Sequence, residues 1–183
     1  MKVYTRKGDD GTTGLLYGGR VAKDSALPTA YGTVDEAQAF LGLVRAEVER
    51  GSELDELLVR LERDLWVVMA ELATDPANHH KLTPGQSRPT AEMVAALEAT
   101  IDDVSVRFEP PAEFVVPGQT RVAALLDVAR TVVRRAERAA LGVDLADESQ
   151  VVPYLNRLSD LLWTVARWQE GASLPSRQPG GGI

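Results

Sequence analysis

Three arginines, Arg130, Arg134 and Arg138, recur at i, i+4 and i+8 in the stretch VARTVVRRAERAAL (128–141). At about 100° per residue they share one flank of a helix. The apolar side of that helix carries Val122, Leu126, Ala129, Val133, Ala136 and Ala140. Arg130 and Glu137 fall at its border, and Arg134 and Arg138 lie on the adjoining polar flank. Like charges at this spacing repel by about 0.2–0.5 kcal/mol per pair, and only Glu137 is close enough to offset them. The guanidinium presents a planar fork of donors that matches phosphate oxygens. The row therefore reads either as a polyphosphate clamp or as a solvated face with inter-helix ion pairs.

A second group opens the chain: YTRKGDDGTTGLLYGG, residues 4–19. Gly8, Gly11 and Gly14 allow the backbone to turn so that N–H groups converge on an anion. Thr5, Thr12 and Thr13 add hydroxyl donors, and Arg6, Lys7 and Lys23 add positive charge. The G-K-[ST] ending of a Walker A loop is missing. Taken alone, the stretch reads equally as a phosphate cradle or as a mobile polar terminus.

Other polar groups sit among apolar ones. Asn156 and Asp160 are i, i+4 partners in YLNRLSDLLW (154–163). The amide of Asn156 suits either a sugar or base edge or a tie between helices. Asp35 falls in the first turn of an expected helix, where a carboxylate is favourable near the positive end of the helix dipole. Phe114 sits in a proline-bounded loop, as a core residue or as a projection into a ligand site. His79 and His80 read as a solvated loop pair.

These groups need a frame, and the apolar spacing supplies it. Ala37, Phe40, Leu41, Val44 and Val48 recur at helical intervals, with a capping-box spacing at Thr33 and Glu36 and a stop at Gly51. A second helix is expected over 53–74, a third from Thr90 to Val106, a fourth from Thr120 to Leu141 and a fifth from Pro153 to Glu170. The segment 21–32 reads as a connector, and EPPAEFVVPGQ (109–119) is barred from helix by its prolines. Val115–Val116 and Val151–Val152 are too short to suggest a sheet. The expected fold is all-α, a five-helix bundle, with one domain over 1–170 and a flexible tail over 171–183.

Composition narrows the function. The 183 residues are 44% hydrophobic with a net charge of −7, which argues against a general nucleic-acid binder, since that needs a basic face. There is no cysteine, which excludes disulfides, thiolate metal sites and cysteine nucleophiles. The opening residues lack the apolar core of a signal peptide, and no apolar run of about 18 residues suggests a membrane span. A cytoplasmic protein is the expectation.

YTRKGDDGTTGLLYGG, YGTVDE, FVVPG, VARTVVRRAER and YLNRLSDLLW occur in this order. The pattern, over about residues 3–168, resembles the ATP:cob(I)alamin adenosyltransferases of the propanediol-utilisation type. The resemblance implies a homotrimer with active sites between subunits. It implies transfer of the 5′-deoxyadenosyl group of ATP to cob(I)alamin, giving adenosylcobalamin and triphosphate, with Mg²⁺ accompanying ATP. It casts Thr5, Arg6, Lys7, Gly8, Thr13, Gly14 and Lys23 as the ATP loop. Arg134, Arg135, Glu137 and Arg138 face ATP in it, with Glu137 on the Mg²⁺ or ribose side, and Asn156 contacts the nucleotide. Asp35 and Arg130 match an acid–base pair joining two subunits, and Phe114 the aromatic below the corrin ring that favours loss of the lower axial ligand. The loop is expected to stay flexible until ATP orders it. Gln119 stands where the family usually has a second glycine, DEAQAF replaces the usual DELNS, and the tail lacks a common tryptophan-containing end. The alternatives are a non-catalytic ATP- or cobalamin-binding regulator and a cobalamin chaperone. A cobalamin reductase and an adenosylcobalamin-dependent enzyme are the implied partners.

Overall fold

A computed structural model describes Tyr4 and residues 6–177. Its frame is five helices: α1 (Ala26–Ala46), α2 (Glu53–Leu72), α3 (Ala91–Ser105), α4 (Arg121–Ala140) and α5 (Val151–Glu170). α4 packs against both α1 and α5, while α2 packs on α1 and α3 on α5. The expected bundle is therefore present, and its core includes Leu41 and Val44 of the first stripe and Leu126, Val133 and Ala136 of the fourth. Leu41, Leu58, Leu65, Leu126, Val133, Leu158 and Leu162 are all fully buried, each worth about 1.5–3 kcal/mol relative to exposure. Polar ties cross this core at its margins. Tyr154 of α5 donates to Asp64 of α2 at 3.0 Å, and Arg157 of α5 reaches Glu98 of α3 at 3.1 Å.

The helix starts follow from capping. Ser52, Thr90 and Thr120 accept from the backbone N–H three residues on, at Asp55, Met93 and Ala123, satisfying donors that the first turn leaves free. Two starts differ from expectation. α1 begins at Ala26, within the expected connector, and α5 begins at Val151. In both, a proline is the third helical residue (Pro28 and Pro153). The first-turn N–H groups have no intrahelical partner, so proline costs no hydrogen bond there. The capping box at Thr33 is not formed. Its hydroxyl donates to the Thr29 carbonyl at 2.7 Å, in mid-helix. Asp35 accordingly lies in the third turn of α1, and the dipole explanation for it fails.

Strands were not expected, yet four short ones occur among the described residues. β1 (Thr12–Gly14) pairs antiparallel with β2 (Arg20–Ala22). β3 (Val115–Val116) pairs antiparallel with β4 (Leu174–Pro175). The second strand of that pair lies within the segment expected as a flexible tail: Leu174 and Pro175 pair with Val116 and Val115, and the Ser176 N–H reaches the Phe114 carbonyl. Both pairs are too short for hydrophobic alternation to announce them. His79 and His80 sit in a 3₁₀ turn over Pro76–Lys81, with ring nitrogens 3.3 Å from the Thr74 carbonyl and 3.0 Å from the Ala77 carbonyl.

Candidate active site

The glycine-rich opening is folded. Its hairpin turns through Tyr17, Gly18 and Gly19, with φ of 62°, 101° and 96°, a left-handed run that glycine enters without steric cost. Buried Leu15 anchors the turn, and the Leu16 N–H donates to the Ala73 carbonyl at 2.8 Å just past the end of α2. Arg20 holds the flanking loop to the hairpin. Its guanidinium donates to Thr12 Oγ1 at 2.5 and 3.1 Å and to the Lys7 carbonyl at 2.6 Å. Asp10 accepts from the Thr12 N–H at 2.9 Å and the Thr12 hydroxyl at 2.7 Å, and these bonds hold its carboxyl below the usual range. Lys23 Nζ lies over Gly8, where a Cβ would approach it to 3.0 Å and the Thr12 carbonyl to 3.1 Å. A side chain at Gly8 would press on both groups. The Arg6 guanidinium sits 5.6 Å from the Tyr4 ring centroid. Arg6, Lys7, Gly8, Thr13, Gly14 and Lys23 are thus gathered on one hairpin and its approach, while Thr5 lies outside the described residues.

The arginine row takes the orientation expected from its spacing. Arg130 and Glu137 are half-buried, and Arg134, Arg135 and Arg138 are exposed. Their partners differ. Arg135 forms an ion pair with Glu36 of α1, so α1 engages it within the chain. Glu137 accepts from the Asn156 amide at 2.8 Å, joining α4 to α5 and fixing both groups side by side. Arg134 and Arg138 have no ion pair or hydrogen-bonding partner among the described residues. Two exposed guanidiniums without an ion-pair partner have donors available to an anion.

Asp35 and Arg130 do not pair within the chain. Arg130 Nε instead donates to Asp127 at 3.1 Å. Asp35 lines an open cleft of about 510 Å³ between α1 and α2, with Gln38, Arg63 and the exposed ring of Trp66.

Phe114 is 89% exposed, so it is not a core residue of this chain. It lines a cleft of about 570 Å³ with Val115, Trp163, Ser176 and Arg177. The Ser176 N–H donates to the Phe114 carbonyl at 2.7 Å, so the β3–β4 pair holds the backbone that presents the ring. Displaying a large aromatic ring to water is unfavourable unless something apolar covers it.

Three participants escaped the sequence reading. Arg20 directly follows the quoted YGG, and its role as a clasp depends on the unforeseen hairpin. Trp163 was inside a quoted segment but reads as one more apolar helix residue. Arg167 is i+4 from Trp163, and its guanidinium lies 5.8 Å from that ring's centroid; a cation on an apolar face was the available signal.

Residues 3–169 match the family model described as cobalamin adenosyltransferase. A corrinoid adenosyltransferase of Citrobacter freundii is 42% identical over 171 residues, which is 92% of this chain and 95% of that protein. A corrinoid adenosyltransferase PduO of Salmonella typhimurium is 40% identical over 174 residues, 93% of this chain but 50% of the relative, so this chain spans about half of that longer protein. Among solved structures, a variant of a PduO-type ATP:corrinoid adenosyltransferase from Lactobacillus reuteri, complexed with cobalamin and ATP, superposes with a TM-score of 0.85 at 28% identity, covering 96% of this chain and 97% of that one. On the match across nearly its whole length, this chain belongs to the cobalamin adenosyltransferase family.

Proposed function

We infer that this chain transfers the 5′-deoxyadenosyl group of ATP to cob(I)alamin, releasing triphosphate. The observation that carries the reading is the pair Arg134 and Arg138, exposed and unopposed beside the Glu137–Asn156 bond. Cob(I)alamin is itself the nucleophile. Its cobalt electron pair forms the bond to C5′, the C5′–O5′ bond breaks, and triphosphate leaves with the electron pair of that broken C–O bond. No general base is needed. The protein's tasks are to align cobalt with C5′ and to stabilise negative charge growing on the leaving group.

The ATP loop supplies the first contacts. Arg6, Lys7 and Lys23 bring charge, Gly8 and Gly14 keep the backbone approachable, and Thr5 and Thr13 add hydroxyls. Arg134 and Arg138 complete the triphosphate cradle, with Arg135 contributing from its bridge to α1, and Asn156 reads the nucleoside. Mg²⁺ would ride on the triphosphate and neutralise part of its charge. Among the described residues no group of three or more His, Cys, Asp or Glu is placed to hold a metal ion. The ion would be held mainly by phosphate and water, with Glu137 as its protein ligand. Phe114 fills the space beneath the corrin and disfavours the lower axial ligand, which eases reduction of cobalt(II). A homotrimer would bring Asp35 of one subunit to Arg130 of the next and close the hairpin against the arginine row. Electrons come from a cobalamin reductase, and an adenosylcobalamin-dependent enzyme takes the product.

The test is an anaerobic assay with ATP, Mg²⁺ and chemically reduced cob(I)alamin. The expected result is loss of cob(I)alamin absorbance that requires both enzyme and ATP, with stoichiometric triphosphate. No loss of absorbance, together with ATP-dependent thermal stabilisation, would assign the fold to a binder or chaperone instead.

A further inference from the structure

Arg167 is among the largest fully buried side chains in the protein. Its side chain is 1% exposed, and a buried cation is costly unless it is well paired. The guanidinium donates to Asp127 Oδ2 at 2.5 Å and to Glu170 Oε1 at 2.9 Å, while its Nε has no hydrogen-bond partner among the described residues. Each carboxylate has a second engagement. Asp127 Oδ1 accepts from Arg130 Nε at 3.1 Å, and Glu170 Oε2 accepts from the Ser173 hydroxyl at 2.9 Å.

These bonds make one continuous path. It begins at Arg130 on α4, passes through Asp127 to Arg167 on α5, and reaches Glu170 and Ser173 at the start of the tail. Ser173 directly precedes β4, which pairs with β3, and Ser176 holds the Phe114 carbonyl. A second route leaves the same guanidinium: it faces Trp163, and Trp163 lines the Phe114 cleft. Two guanidiniums and two carboxylates leave the quartet formally neutral. Stability alone does not call for it, since buried ion pairs are often replaceable by apolar side chains at no loss, and α5 elsewhere buries Leu155, Leu158, Leu161 and Leu162. What the quartet adds is direction. A carboxylate shared between Arg130 and Arg167 restricts the rotamer of Arg130, and Arg167 fixes the ring that walls the cleft.

We propose that Asp127 and Arg167 are positioning residues that set Arg130 and the seat of Phe114 from one buried charge cluster, so that the subunit-joining arginine and the corrin-side aromatic keep a fixed relation. This rests on the roles given to Arg130 and Phe114 above.

The test is a double-mutant cycle on the full-length protein, with Asp127→Asn and Arg130→Ala made singly and together, each assayed for kcat, KM and Tm. Misplacement of a positioning group by about 1 Å costs on the order of a hundredfold, and Asp127→Asn is expected to lower kcat/KM by about tenfold to a hundredfold on that scale. In the Arg130→Ala background it should have no further effect, and Asp127→Glu should recover part of the loss. On the other branch, Glu170→Gln and Arg167→Lys are expected to reduce the four-coordinate fraction of bound cob(II)alamin seen by electron paramagnetic resonance. Additive losses in an impaired Arg130→Ala enzyme, or a lower Tm with kcat/KM and the spectrum unchanged, would reduce the cluster to packing and overturn the proposal alone. Full activity of Arg130→Ala would overturn the role of Arg130 and the proposal with it. Should Asp127→Asn fail to fold, Asp127→Glu and Arg167→Lys carry the same two readouts.

Discussion

Arg134→Ala separates function from stability at the candidate site. Arg134 is exposed and has no partner among the described residues. It stands at i+4 from Arg130 and i−4 from Arg138. Truncation therefore removes two repulsive pairs of about 0.2–0.5 kcal/mol each, and loses at most one attraction of similar size to Glu137 at i+3. Alanine is also the better helix former. The expected net change in stability is a gain of under about 1 kcal/mol, or a Tm shift of no more than about 2–4 °C for a chain of this size. Activity should respond oppositely. A donor aimed at charge that develops in the transition state is worth about 10²–10³ in kcat, or roughly 2.7–4 kcal/mol. The assay is anaerobic consumption of cob(I)alamin at saturating ATP, with thermal melts and size-exclusion chromatography in parallel. A kcat down by two to three orders of magnitude, with an unchanged or higher Tm and an intact oligomer, is the expected result. Turnover near that of the parent protein would refute the clamp. A melting temperature lower by more than about 5 °C would show instead that the side chain has a structural partner.

Phe114→Ala should leave Tm unchanged, because the ring is 89% exposed, while slowing reduction of bound cobalt(II) far more than it weakens ATP binding; parallel loss of both in stopped-flow and ATP titrations would indicate a packing role. Arg20→Ala should weaken ATP affinity several-fold without lowering the main melting transition, since Arg20 holds only the hairpin and its approach, and calorimetric titration against a thermal melt checks this. Glu71→Gln tests a buried acid outside the site. Glu71 is 1% exposed, and neither carboxylate oxygen accepts a hydrogen bond among the described residues. Burial pushes its carboxyl above the usual range; Ser149 approaches without meeting hydrogen-bond geometry, and Arg88 and His79 pull it down only in part. The folded state therefore binds this proton more tightly than the unfolded state. Stability falls as pH rises from the ordinary carboxylate range through the raised folded value. Glu71→Gln should raise Tm at neutral pH more than at pH about 4, and an equal shift at both would refute a charged, buried Glu71.

The helices were legible because their signals are local and redundant. Stripes such as Leu54, Leu58, Leu61, Leu65 and Leu72 repeat the same instruction over five turns, and Thr90 and Thr120 mark starts through a bond to a residue three positions away. The two misplaced starts share one feature: each helix begins two residues before a proline, Pro28 or Pro153, and a first-turn proline loses no hydrogen bond. The hairpin and the β3–β4 pair were not legible. Each ladder is two or three residues long, and its partner strand is chosen by tertiary docking, at Ala73 for the hairpin and at the chain's own tail for the Phe114 loop.

The same distinction runs through the site. The exposure of Arg134 and Arg138 followed from helical periodicity, because a wheel fixes which way each residue faces. Which arginine stays free did not follow, because Glu36, Asp127 and Asn156 come from outside the RRAER stretch. Glu36 takes Arg135, Asp127 takes Arg130, and Asn156 donates to Glu137. Three neighbours thus convert five adjacent-looking charges into two unopposed cations and a set of fixed supports. Sequence spacing alone leaves the row open between a clamp and a solvated face with inter-helix ion pairs; packing pairs Arg130 and Arg135 within the chain and leaves Arg134 and Arg138, and these two are where substitution should cost chemistry without costing the fold.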